Sequence, residues 1–174
     1  MHSPYGDKIA FKEKAMISRD DLRKSFIFQT LPDRLLDAVC HIATTRACDE
    51  GEQIYGEGEI SGNLYMVLSG GVLIEQDISD EITVNVGNLD AGECFGYSSV
   101  MGESSFTASA VASEKTELVV INGQELLKLM EKNHTLGYMI QTQVIRIMSQ
   151  RIERRTEQFL RALSTHPEIH DLKK

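Results

Sequence analysis

The pattern of apolar and polar positions changes character twice along the chain. Residues 1–17 mix the two with little periodicity and read as an N-terminal arm. Ser18-Arg-Asp-Asp21 has the form of a helix start, with Ser18 as cap and acid at the positive end of the helix dipole, and predicts a short helix to about Lys24. Pro32 suits the first turn of a second helix, whose buried face would carry Leu35, Leu36, Val39, Ile42 and Ala43 at helical spacing.

From about Arg46 to Ile121, short runs of Val, Ile, Leu and Tyr alternate with glycine turns such as Tyr55-Gly-Glu-Gly58, Ser69-Gly-Gly71 and Asp90-Ala-Gly-Glu93. Strands are predicted at Leu64–Leu68, Val72–Glu75, Ile82–Val86, Thr107–Ala112 and Leu118–Ile121. Ten of the 13 glycines fall in this stretch, and many short strands with glycine turns predict a sandwich or jelly roll rather than a parallel sheet.

Asn122-Gly-Gln-Glu125 opens another helix, to about Lys132. A longer one follows from about Thr135 to Ser164, free of proline until Pro167. Leu136, Ile140, Val144, Ile147, Ile152 and Phe159 belong to a series that, with Met148 as the alternative to Ile147 and with Thr156 and Leu163, recurs along it every three or four residues. A helix of ~30 residues is ~45 Å long, more than one small β domain covers. Its far half therefore calls for a partner, and the same helix of a second copy is the simplest, so these six residues are the expected dimerisation set. The division expected is 1–17 arm, 18–133 β-roll domain with flanking helices, 134–164 dimerisation helix and 165–174 tail.

Composition narrows the function classes. The chain has 174 residues and a formal charge of −8, which argues against a chain built to grip DNA or RNA. Cys40, Cys48 and Cys94 are odd in number and lie at no metal-ligand spacing, which points to a reducing compartment and small buried thiols. The first residues hold no apolar core of a signal peptide, and no 18-residue apolar run occurs, so a soluble, cytoplasmic protein without membrane contact is expected. No nucleophile-elbow, phosphate-loop or His-Glu-x-x-His motif is present. None of His2, His41, His134, His166 and His170 falls among the strands, so neither catalysis nor a metal site is expected.

The order of elements, together with Gly51-Glu-Gln-Ile54, Gly58-Glu59, Asn63-Leu-Tyr-Met-Val-Leu-Ser-Gly70, Ala91-Gly-Glu-Cys-Phe-Gly96 and Thr107-Ala108, resembles the cyclic nucleotide-binding domain of regulators of the catabolite activator and fumarate-nitrate type. The resemblance covers about residues 25–160 and implies an α+β, mainly β fold. That fold is a double-stranded β-helix or jelly roll, with short N-terminal helices and a long C-terminal dimerisation helix. It also implies a ligand cassette at Phe95, Gly96, Tyr97, Ser98, Ser99, Phe106, Thr107 and Ala108, and a lid on the long helix near Arg155 and Thr156.

Two cassette positions depart from the family pattern. Tyr97 stands where the family usually has a glutamate for the ribose hydroxyl, and Phe106 where it has an arginine for the phosphate. Residues 47–114 contain neither Lys nor Arg, so the cassette brings no cation of its own; Arg155 is the candidate to bring one from the lid. Burying a phosphate without a cation is costly, and weak affinity for cyclic AMP or GMP is the expectation. Ser98, Ser99, Ser104, Ser105 and Thr107 supply hydroxyls that suit a neutral or weakly anionic ligand as well. No cofactor is certain; a cyclic nucleotide or another small ligand is what the resemblance implies.

The reading is a non-enzymatic sensor module signalling through a homodimer and a downstream protein partner. The alternatives are a structural interaction module with a vestigial pocket, or the sensor portion of a transcription regulator. After Leu163 only 11 residues follow, too few for a helix-turn-helix, so direct DNA binding is not expected.

Overall fold

The computed structural model describes residues 17–79, 82–102 and 105–165. The arm before Ile17, Ser104 and the tail with His166 and His170 lie outside the described residues, as does His2. The chain runs α1 (Arg19–Arg23), α2 (Asp33–Ile42), β1 (Ala43–Cys48), β2 (Gln53–Tyr55), β3 (Asn63–Ser69), β4 (Val72–Ser79), β5 (Ile82–Leu89), β6 (Cys94–Phe95), α3 (Ser98–Met101), β7 (Ser109–Ala112), β8 (Thr116–Asn122), α4 (Gly123–Lys132) and α5 (His134–Thr165).

Two antiparallel four-stranded sheets face each other in the orders β1-β8-β3-β6 and β2-β7-β4-β5, the arrangement of a jelly roll. In sheet β1-β8-β3-β6 the central strands β3 and β8 bury side chains on both faces. Leu64 and Met66 of β3 and Val119 and Ile121 of β8 point into a layer formed by α1, α2, α4 and the first half of α5. Tyr65, Val67 and Leu118 point the other way, into the space between the sheets, where they meet Val72, Phe95 and Phe106. This explains why β3 and β8 read as continuous apolar runs rather than alternating ones. The second sheet covers the core with one face only, and its edge strand β5 is largely exposed.

The helix starts follow the caps read from sequence. Ser18 Oγ accepts from the Asp21 backbone N–H, and the Asp21 carboxylate accepts from the Ser18 N–H in return. Asn122 Oδ1 accepts from the Glu125 N–H at 3.0 Å. Arg19 bridges Asp33 and Asp37, and Arg23 pairs with Asp33, which ties α1 to α2.

Four expectations need correction. Ala43 opens β1 instead of closing α2, whose cap Pro32 precedes the first turn. Thr107 and Ala108 precede β7 in a bend, outside the strand. Strand β5 runs on to Leu89 through the turn-like residues Asn85, Gly87 and Asn88, with a bulge where Ile74 pairs Gly87 and Glu75 pairs Asn85.

The fourth correction concerns α5. Leu136, Ile140 and Val144, expected on the dimerisation face, are buried in the protomer's own core, and Ile147 packs beside them. Steps of four residues drift ~40° around a helix, so the apparent stripe turns from one face to the other, and Ile152 lies ~160° from Leu136. The exposed apolar row of α5 is a different one: Tyr138, Ile145, Ile152 and Phe159, seven residues apart and 74%, 68%, 65% and 62% exposed. Thr142, Ser149, Thr156 and Leu163 fill the intermediate positions of that heptad.

Candidate functional site

Between the end of the jelly roll and α5 lies a groove of about 320 Å³. Its floor is aromatic. Tyr55 from β2 and Phe106 stack with ring centroids 3.7 Å apart and planes at 15°, and Phe95 lies 6.0 Å from Tyr55. The Phe106 backbone is fixed by the preceding loop: its N–H donates to the Glu59 carbonyl at 2.9 Å and its own carbonyl accepts from Gly58 N–H at 2.8 Å. The Thr107 carbonyl accepts from Gln76 Nε2 of β4 at 2.9 Å.

Gly96 directs the chain from β6 into α3. Its φ of +78° lies in the left-handed region, and a Cβ there would stand 2.8 Å from the Asn63 carbonyl and 3.0 Å from the Tyr65 ring. Only glycine meets both demands. Tyr97 follows, 6% exposed, with its hydroxyl lacking a hydrogen-bond partner. Burial holds this phenol protonated well above the ordinary range, with Cys94 adding to the effect and Arg151 opposing it.

The opposite wall comes from α5 through Met148, Arg151, Ile152 and Arg155. Arg151 reaches inward: one nitrogen donates to the Cys94 carbonyl at 3.0 Å, and the guanidinium lies 5.1 Å above the Tyr97 ring centroid. A second hollow of about 200 Å³ shares Tyr97 and Arg151 with the groove and opens toward Ser25, Glu93 and Arg154. Cys94 stands at its base, its Sγ 3.0 Å from Ser25 Oγ.

The structure thus brings Phe95, Gly96, Tyr97, Ser98, Phe106, Thr107, Ala108 and Arg155 to one groove. Ser99 and Thr156 are not in its wall. Ser99 is buried, its hydroxyl donates to the Gly96 carbonyl at 2.8 Å, and its backbone packs against Gly123 at the start of α4. The Thr156 hydroxyl donates to the Ile152 carbonyl within α5. Arg151, which the sequence shows only as one of the basic residues Arg151, Arg154, Arg155 and Arg161 on the long helix, stands four residues before Arg155 and shares that residue's helix face. Among the described residues, no group of three or more His, Cys, Asp or Glu side chains is placed to hold a metal ion, and no helix is long and apolar enough to cross a membrane.

Comparison with known proteins gives a consistent result. The family model of the cyclic nucleotide-binding domain matches residues 45–133. The cyclic AMP receptor protein of Thermus thermophilus is 29% identical over 111 residues, which make up 64% of this chain and 51% of that protein. The chain spans about half the length of this curated relative. Among solved structures, a Geobacter metallireducens protein named for cyclic nucleotide binding superposes with a TM-score of 0.70 at 30% identity, covering 79% of this chain and 99% of the other. The catabolite activator protein of Thermus thermophilus gives 0.65 at 26% identity, covering 79% and 62%. A cyclic nucleotide-binding domain from Methylobacillus flagellatus gives 0.73 at 20% identity over 85% and 83%, a likeness of fold.

Proposed function

The chain belongs to the cyclic nucleotide-binding domain family, and from that premise we propose that it is a non-enzymatic ligand sensor whose output is the packing of α5. One observation carries the reading: Ile152 stands both in the groove wall and in the exposed heptad row of α5. A ligand held between the aromatic floor and Arg151–Arg155 touches the surface through which α5 would meet a second copy. Binding therefore favours one arrangement of that helix over another, and the shift in population passes to a partner protein.

The dimer is part of this proposal. Large apolar side chains at every seventh position, with Thr, Ser and Leu between them, suit a two-helix seam. The formal charge of −8 supports a protein partner over nucleic acid as the recipient of the signal.

Saturating screens with cyclic AMP, cyclic GMP, cyclic dinucleotides, haem and small phenols test the reading. At least one should raise the melting temperature, since a ligand that binds the native state stabilises it. The same compound should change amide hydrogen exchange over residues 148–160. A bound compound that leaves exchange in α5 unchanged would remove the signalling half of the proposal. The Tyr55–Phe106 stack suits a second reading, an interaction module whose pocket is vestigial, and a melting temperature unmoved by every probe would favour it.

A further inference from the structure

We propose that the groove is a site for a planar aromatic monoanion, with the ring on the Tyr55–Phe106 floor and the charge met from α5 by Arg151 and Arg155. This rests on the ligand-sensor reading and adds the ligand's chemistry and its orientation.

The groove wall contains two guanidiniums and no carboxylate. That is unusual in this chain, where residues 47–114 carry thirteen Asp and Glu and no Lys or Arg. Among the described residues neither Arg151 nor Arg155 forms a salt bridge, and Glu93 lines the neighbouring hollow instead of the groove. Like charges at i and i+4 on a helix repel, so an anion set between them relieves an existing cost. The Cys94 carbonyl takes one donor of Arg151, and a guanidinium has five. Each arginine can therefore offer a carboxylate a paired, charge-assisted contact.

The floor sets the rest of the ligand. Where the family's pattern has a cation for the phosphate, this chain has Phe106 stacked on Tyr55. A cyclic phosphate there would be desolvated without a counter-charge. The flat faces of Tyr55, Phe106 and Phe95, with Met101 and Met148 beside them, suit an aromatic ring instead. A volume of about 320 Å³ is at the lower end of the usual range for small-molecule sites, which accommodates a bicyclic acid. The polarity of the site is thus the reverse of the family pattern, with the anion at the helix and the ring at the cassette.

Calorimetric titration of the full chain with 2-naphthoate, neutral 2-naphthamide and cyclic AMP tests this. The carboxylate should bind at least ~5-fold tighter than the carboxamide, and Arg155→Gln should lower its affinity by at least ~5-fold, about 1 kcal/mol. Arg155 is exposed, so that variant should keep its fold; Arg151→Gln, checked by its melting curve, should act in the same direction. A smaller preference for the carboxylate, or affinity retained in both variants, overturns the proposal. Cyclic AMP binding tighter than naphthoate overturns it while leaving the sensor reading intact. No binding by any of the three overturns the proposal, and the sensor reading then stands or falls on the wider melting-temperature screen.

Discussion

Cys94 shows how burial sets the chemistry of one residue. It lies under Tyr97 and Arg151 with its Sγ in hydrogen-bond contact with the Ser25 hydroxyl, and burial pushes its thiol from an ordinary 9.0 up to about 12. An unfolded thiol loses its proton near pH 9, so between that pH and about 12 the unfolded chain binds fewer protons than the folded one. The stabilisation is complete below pH 9 and is lost as pH rises, with Cys94 alone contributing a slope of ~1.4 kcal/mol per pH unit. Urea unfolding at pH 8, 9 and 10 checks this; a midpoint that rises with alkalinity would contradict it. At pH 8 iodoacetamide should label Cys94 only after unfolding. The cassette substitutions Tyr97 and Phe106 were legible in the sequence because they sit in a motif of fixed order. Arg151 was not, because its role depends on which way α5 faces when it crosses Tyr97.

At the scale of elements, α5 is two helices in one. Its first half carries Leu136, Ile140 and Val144 into the protomer's core, and its second half is exposed on nearly every face except at Arg151 and Leu163. The two halves should respond differently to substitution. Ile140→Ala should cost ~2–5 kcal/mol of stability, as buried large-to-small changes do. Ile145→Asp with Ile152→Asp should leave the isolated protomer's stability nearly unchanged and convert the proposed dimer to monomer in sedimentation velocity. A dimer that survives the double variant would place the interface elsewhere. The helices and longer strands were legible because caps and apolar runs are local signals. Strands β2 and β6, with three and two residues, carry too little pattern to be read, and β1 is half polar because only its ends are buried. The split of α5 stayed hidden because a four-residue step resembles a single stripe over two turns and leaves it over four.

The whole molecule is electrically divided: residues 47–114, the bulk of the roll, carry thirteen carboxylates and no Lys or Arg, and every Lys and Arg lies before or after that stretch. Repulsion within the roll should weaken as salt rises from 0.01 to 0.15 M and the screening length falls from ~30 Å to ~8 Å. A gain of ~1 kcal/mol would raise the melting temperature by ~3 °C; a fall over that range would show that attraction between roll and flanks dominates. The anchored first half of α5 has one more consequence. Because that half is gripped by the core, the far half has a defined rotational phase, and a reporter fused to it would inherit that phase. Each residue inserted at the junction would turn the reporter by ~100°, and seven would return it to within ~20° of its starting direction. The fold would then act as a protractor, with linker length setting which side of a fused protein faces the groove.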